Sequence, residues 1–431
     1  MGNKYVVFVD ETLVSGSVQM AAESAGFTTG RGVAATPLPV ADELDLRKSV
    51  LGRLAAALMG QPGGALGGTT GGAAIAMSDF AIRRPPPPAG DVQILEGISA
   101  IVVDDESTDV RSLSAVVGLT VVPNIEVRLP TPVAVEAEAP PQDWHLRKIG
   151  LAPGTPGGEE ILIGVLDTGI DSTHPEFAGK TVHFAEFDAA GRLISNTARD
   201  AGDHGTHVSS IAAGAQAGVA PGSDLAVAAV LTIRDDLGRM SGTLVQIVNG
   251  FNWLITTRFR GDLPGVDVIN ASLGGGGFNP YLQSSVRTAF GLGVPLIAAI
   301  GNAGRGGVGR HGSPGNYPEV LGVGASDHSD VVAAFSDWGV APPPSGPTYP
   351  VPQLCAPGVQ VHAARPGGGF QPMSGTSMAT PVVTGVAARR MSANRALIGK
   401  PAALFTDLRA RLATCHPHQL GNLGGAGRII A

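Results

Sequence analysis

Residues Ile161–Leu166 read ILIGVL, an unbroken apolar run, and Asp167 follows directly. A run this short, apolar on both alternating faces, predicts a central strand of a parallel sheet covered on both sides. Similar runs recur at Leu225–Leu231, Val266–Ile269, Val294–Ile300 and Val320–Val323. Helical patterns fall between several of them, including Thr243–Thr256 and Tyr281–Phe290. The alternation predicts an α/β domain over 143–431, with a mostly parallel central sheet and helices on both faces. In such sheets the reactive groups lie beyond the carboxyl ends of the strands.

Composition fits a large buried sheet. Of 431 residues, 43% are hydrophobic and only 15% charged, against roughly 25% charged in an average soluble domain. No apolar run reaches the roughly 18 residues that span a bilayer, so no membrane partner is read. The net charge of −7 argues against nucleic acid as a partner. The chain does not open with a basic segment and a hydrophobic stretch, so no signal peptide is read. That implies a cytoplasmic protein as the sequence stands, or a secreted one if a leader has been removed. Two cysteines, Cys355 and Cys415, make no disulfide framework and read as buried thiols.

The amino-terminal part has its own rhythm. Lys4–Val9 reads as a strand, and Asp42–Met59 as an amphipathic helix with Leu44, Val50, Leu51, Leu54 and Leu58 on one side. Gly60–Gly72 and Pro85–Pro88 read as loop or disorder. Ile98–Val103 is a strand, a helix begins near Ser107, and Leu119–Val127 is a further strand. This order predicts a small α+β domain over 1–129. Residues 130–142, PTPVAVEAEAPPQ, carry four prolines and read as an extended linker.

Four stretches carry candidate chemistry. Asp167 opens Asp167-Thr168-Gly169-Ile170-Asp171 at the end of a predicted buried strand. A carboxylate there requires a hydrogen-bond partner; the plainer reading is a turn or cap residue. Asp203-His204-Gly205-Thr206-His207 offers His204 as a base, since imidazole titrates near neutrality. His204, His207 and Asp203 as metal ligands is the competing reading. Asn302, in Ala298–Asn302, is an amide donor at a strand end or a turn former. Ser374–Pro381, SGTSMATP, sets Ser377 at the start of a helix continued by Val382, Val383, Val386 and Ala387. Unpaired first-turn N–H groups and the helix dipole favour negative charge there, though a Ser/Thr cap fits the segment too. Gly304-x-Gly306-x-x-Gly309 formally matches a dinucleotide fingerprint, but no helical pattern follows it.

Asp-Thr-Gly-Ile-Asp, His-Gly-Thr-His-Val, Ala-Ile-Gly-Asn-Ala-Gly and Gly-Thr-Ser-Met-Ala-Thr-Pro occur in that order. They resemble the signatures of the subtilisin-like serine proteases. The resemblance runs from about Trp144 to Ala431 and includes Ser313–Pro318, Phe335-Ser336-Asp337-Trp338-Gly339 and Ala356-Pro357-Gly358. It implies Asp167, His204 and Ser377 as a catalytic triad. Asn302 and the Ser377 backbone N–H would form the oxyanion hole.

The resemblance also implies an extended peptide or protein substrate, paired with Met240, Ser241 and Gly242 on one edge and Ser272, Leu273 and Gly274 on another. Ser272–Gly274 and Ala299, Ile300 and Gly301 would wall the main pocket, both walls neutral. Ile300 stands where relatives often have a small residue, which predicts a shallower pocket. Ala303 stands where an acid is frequent, which removes one reason to expect a basic side chain before the scissile bond. No metal or cofactor is required. Calcium is unsupported, because Ala212–Pro221 offers only Gln216 as a side-chain oxygen donor.

Residues 1–129 resemble the family's inhibitory propeptide, ferredoxin-like, through Lys4–Asp10 and Gly97–Val127. The intervening stretch, about 16–90, reads as a Gly/Pro-rich insertion. The resemblance implies a self-processing zymogen whose tail, 130–142, lies in the cleft and is cut within Val133–Ala139. A peptide ligase or macrocyclase using the same triad is the alternative. The short intervals between the triad residues leave little room for the shielding elements such enzymes carry.

Overall fold

The computed structural model describes residues 4–10, 14, 40–59, 92–105, 110–114, 118–129, 133, 140–261, 264–341, 347–416 and 428–431. The Gly60–Gly72 and Pro85–Pro88 stretches lie outside these residues, as does the 130–142 segment apart from Val133 and 140–142.

The amino-terminal unit is built from β1 (Lys4–Val9), α1 (Val40–Met59), β2 (Gln93–Leu95), β3 (Ala100–Asp104), a short helix at Val110–Leu113, and β4 (Leu119–Pro123). The sheet is antiparallel in the order β2-β3-β1-β4, a ferredoxin-like arrangement. Alternation along β1 sets its two faces. Val7 and Val9 pack with Val50, Leu51 and Leu54 of α1. Val6 and Phe8 share a core with the larger domain, where Leu244, Val248 and Phe251 meet them.

The predicted strand Leu119–Val127 is two strands. β4 ends at Pro123, and β5 (Glu126–Arg128) leaves the sheet for the larger domain. The break falls at Asn124. Its N–H donates to Lys4 O at 2.9 Å, while its side chain accepts from the Val245 N–H at 2.9 Å. The next residue, Ile125, takes the Leu244 N–H on its carbonyl at 2.8 Å. Two adjacent residues thus satisfy first-turn N–H groups of the helix that begins at Leu244, which have no partner within that helix.

The larger domain contains β6 (Leu162–Asp167), β7 (Val182–Phe187), β8 (Leu193–Ser195), α2 (His204–Ala213), β9 (Asp224–Ala229), β10 (Ile233–Arg234), β11 (Met240–Thr243) and α3 (Leu244–Thr256). It continues through β12 (Val268–Ala271), α4 (Gln283–Gly291), β13 (Leu296–Ala299), β14 (Val320–Ser326), β15 (Leu354–Pro357), α5 (Thr376–Ala393), β16 (Leu412–Ala413) and β17 (Arg428–Ile429). The sheet order is β16-β17-β15-β14-β13-β12-β6-β9-β7-β8. Every pairing is parallel except β7–β8 and β16–β17. This is the predicted α/β architecture.

β6 is buried throughout, as its composition predicts. α5 crosses the sheet with Val382, Val383 and Val386 fully buried. Each such side chain contributes about 1.5–3 kcal/mol from burial. Asp167 thus stands at the end of a strand buried along its whole length, and Ser377 in the buried first turns of α5. Cys355 is buried in β15 and Cys415 half-buried, both as free thiols.

Candidate active site

Asp167 is the last residue of β6 and His204 the first of α2. The His204 Nδ1 lies 2.8 Å from Asp167 Oδ1 and 3.0 Å from Oδ2. Oδ1 also accepts the Thr168 N–H at 2.8 Å, so the buried carboxylate is partnered. Close approach of α2 to the turn after β6 requires glycine at 205. A Cβ there would lie 2.1 Å from the Gly169 carbonyl oxygen. Burial acts to lower the His204 pKa, but the Asp167 carboxylate, with Asp200 and Asp203 behind it, outweighs burial and the net shift is upward.

A residue that sequence reading gave no positioning role sets this geometry. Asp200 accepts the Thr168 hydroxyl at 2.6 Å, and the Thr206 N–H and hydroxyl at 2.8 and 2.6 Å. The Thr168 hydroxyl in turn accepts the Gly205 N–H at 2.9 Å. Asp200 therefore stitches the turn after β6 to the first turn of α2. Burial raises its carboxyl pKa against these hydrogen bonds. Its signal in the sequence is weak, because an acid in a loop is ordinarily solvated.

Ser377 is the second residue of α5 and is 2% exposed. Its hydroxyl donates to Ser272 O at 3.1 Å. Asn302 lies beside it: Oδ1 accepts the Thr376 N–H and hydroxyl, each at 2.9 Å. Those two bonds fix which end of the amide is the acceptor, leaving the Nδ2 hydrogens to donate. A Cβ on Gly375 would lie 3.2 Å from Nδ2, so the amide points along the start of α5.

The neighbouring cleft has a volume of about 640 Å³. Leu273, Gly274, Ala299, Ile300 and Gly301 line it, whereas Ser272 is turned toward Ser377. The Ile300 side chain is wholly buried with Ala341 and Val351, which takes up bulk that the sequence assigned to the pocket. The neutral walls are joined by a carboxylate, Asp337, which also lines the cleft. Arg305 and Arg310 lie outside the lining.

Met240, Ser241 and Gly242 are already paired. β5 runs antiparallel to β11, with Arg128 opposite Ser241 and Val127 opposite Gly242. The Leu129 N–H donates to Met240 O at 2.9 Å. Ile125–Leu129 thereby form part of the cleft lining. The segment on this edge lies ahead of the 130–142 tail that the sequence assigned to the cleft. The reason is the break at Asn124, which directs the chain to α3 and β11 early. Of the tail itself, Val133 donates its N–H to Ser374 O at 3.0 Å, and 134–139 lie outside the described residues.

Comparison with known proteins agrees with this architecture. The model of the Subtilase family matches residues 158–414. Subtilisin-like protease 1 of Arthroderma gypseum is 35% identical over 257 residues, covering 58% of this chain and 49% of that protein. The chain thus spans about half the length of that relative. Subtilisin-like serine protease Pen ch 13 of Penicillium rubens is 32% identical over 326 residues, 74% of this chain and 75% of that one. Among solved structures, a cold adapted subtilisin-like serine proteinase superposes with a TM-score of 0.52 at 29% identity, covering 64% of this chain and 94% of that chain. Sphericase gives 0.54 at 28%, covering 65% and 94%. With the family model spanning more than half of the residues and the Penicillium relative aligned over three quarters of them, the chain belongs to the subtilase family of subtilisin-like serine proteases.

Proposed function

We propose that the chain is a serine endopeptidase, with Ser377 as nucleophile, His204 as base and Asp167 as the group that orients it. The observation that carries this reading is the Asp167–His204 pair, at 2.8 and 3.0 Å. With Nδ1–H held by the carboxylate, Nε2 is the unprotonated nitrogen and is free to accept a proton. Ser377 attacks the scissile carbonyl, its proton passing to Nε2. The imidazolium then returns that proton to the leaving amine, and water hydrolyses the acyl-enzyme by the same route. The Asn302 Nδ2 and the Ser377 N–H donate to the oxyanion as charge develops. These steps use no metal or organic cofactor.

The amino-terminal region acts in this reading as an intramolecular inhibitor. β5 extends the sheet at the edge where an incoming peptide would pair. Attachment to the same chain makes modest contacts effective. Self-cleavage after this segment, within Val133–Ala139, would release it.

The test compares the wild type with Ser377→Ala. Wild-type protein is expected to cut peptides, with mass spectrometry showing hydrolysed and not cyclised products, and to acquire new amino termini after 129. Ser377→Ala is expected to do neither. Equal cleavage by the two proteins would refute the triad. A wild type that stays intact yet fully active would refute the inhibitory role alone.

A further inference from the structure

One carboxylate of the cleft has no part in the steps above. Asp337 lines the cleft beside Ala299–Ala303 and is 4% exposed. Its loop is laced to that wall. The Asp337 N–H donates to Gly301 O at 2.9 Å, and the Gly304 N–H to Phe335 O at 2.8 Å. Its side chain occupies the volume that any larger residue at 301 would need: a Cβ on Gly301 would lie 2.1 Å from Oδ2. Gly301 also has φ of 118°, so the wall is doubly committed to glycine there.

The other oxygen is the informative one. Oδ1 is buried and has no hydrogen-bond partner. A desolvated carboxylate oxygen without a donor is costly, and a rigid wall that maintains one calls for a donor arriving with a ligand. The lining also holds Arg128, Arg239 and Asn302, and none of them bonds Oδ1. Gly274, Gly275 and Gly312 contribute no side chain, and Asp337 is the only carboxylate that the described part of the larger domain adds to the lining. Arg310, whose charge reaches Asp337, is exposed and outside the lining.

We propose that Asp337 is a specificity-determining residue that selects a lysine or arginine side chain immediately before the scissile bond, its cationic head donating to Oδ1. The proposal rests on the reading of this cleft as the peptide site. Burial pushes the Asp337 carboxyl up to about 7, against the Ala303 N–H and the charge of Arg310, which favour the ionised form. A cation in the pocket would tip the balance to the carboxylate and gain a charge-assisted hydrogen bond. A neutral side chain would leave Oδ1 desolvated and unpaired, so discrimination comes from the penalty on wrong substrates as well. Residues 129–143 carry no lysine or arginine. On this account the segment following β5 offers no preferred bond, which suits an inhibitor that is consumed slowly.

The test uses two peptides that differ only in arginine or citrulline at that position, the second being a neutral near-isostere. Wild-type kcat/KM is expected to favour arginine by at least about tenfold, the scale of one charge-assisted hydrogen bond to a buried group. Asp337→Asn should bring the ratio to within about twofold of one, whatever its absolute rate. A wild-type ratio near one overturns the proposal even if the variant does not fold, and so does an unchanged ratio in a folded variant. Failure to cut the arginine peptide while a phosphonyl fluoride still labels Ser377 overturns the selectivity alone. Absence of both cleavage and labelling overturns the functional reading and this proposal with it.

Discussion

Ser272 and Ser377 hold each other from both sides: Ser272 Oγ donates to Ser377 O at 2.8 Å, and Ser377 Oγ donates to Ser272 O at 3.1 Å. The first bond has a cause within α5. Pro381 stands four residues after Ser377 and has no N–H, so the Ser377 carbonyl lacks its helical donor. Ser272 replaces it across the sheet. The second bond holds the Ser377 hydroxyl proton on a carbonyl, from which it must turn to reach His204 in the proposed reaction.

Ser272→Ala should therefore strand a buried carbonyl and cost about 1–3 kcal/mol of stability. Urea unfolding in a Ser377→Ala background measures this without self-digestion, because the acceptor is backbone. A loss smaller than about 0.5 kcal/mol would mean that water or a shift of α5 supplies the donor.

The upward shift at His204 fixes the direction of the pH profile. The base must be neutral, so kcat/KM should rise through a pKa above the ordinary value of about 6.5. Asp200→Asn removes one of the charges that raise it and should move the midpoint down. A midpoint below 6.5 in the wild type, or one that Asp200→Asn moves up, would contradict this assignment.

Much of this site was readable because its signals are local. Apolar runs locate β6, β9, β12, β13 and β14 within a few residues, and the residues at their carboxyl ends follow from counting. What escaped depends on contacts between distant segments. Leu119–Val127 reads as one strand, and only the bonds of Asn124 to Lys4 and Val245 divide it. Asp200 and Asp337 act through loops whose course no periodicity encodes. Pocket walls that look neutral in Ser272–Gly274 and Ala299–Gly301 acquire an acid because Gly301 leaves room for one.

Calcium should be dispensable. The loop Ala212–Pro221 is held by a protein carboxylate: buried Glu176 accepts the Ser210 hydroxyl at 3.1 Å, and the Gln216 and Ala217 N–H groups at 2.8 and 2.9 Å. EDTA should leave the melting temperature unchanged, whereas Glu176→Ala, which leaves the Ser210 and Ala217 donors buried, should lower stability by about 1–3 kcal/mol or more. A drop in EDTA restored by calcium would reveal a site elsewhere.

Two buried histidines should make the fold acid-sensitive. Burial pushes His145 down to about 4 and His207 down to about 3. Each presents Nε2 to a carbonyl, Ala217 O at 2.9 Å and Gln371 O at 3.0 Å, while each Nδ1 is buried without a partner. Below about 6.5 the unfolded chain binds protons that the folded rings refuse. Stability then falls with pH by about 1.4 kcal/mol per unit and per residue. The loss continues down to about 4 for His145 and about 3 for His207. His145→Gln keeps a donor for Ala217 O and removes one titration, so urea midpoints between pH 6.5 and 4 should fall less steeply. An unchanged slope would show that His145 is protonated in the folded state.

The inhibitory role of β5 can be tested one hydrogen bond at a time. The Leu129 N–H bond to Met240 O is the last described contact before the chain continues toward Val133. Leu129→Pro deletes that donor and keeps an apolar ring where the Leu129 side chain packs against the core, while its fixed φ remains compatible with extended backbone at a strand end. β5 lies at the edge of the β10-β11-β5 sheet, so the substitution disturbs no strand beyond it. One lost hydrogen bond weakens the docked state by about 0.5–1.5 kcal/mol, or roughly two- to tenfold in the population of open cleft. The readout is the initial rate at which intact, unprocessed protein is labelled at Ser377 by a peptidyl phosphonate, which must enter the same edge. The variant should label two- to tenfold faster than the wild type, and the difference should vanish once the amino-terminal region is removed. Equal rates in the intact proteins would mean that β5 does not obstruct the cleft, and the inhibitory reading would fall.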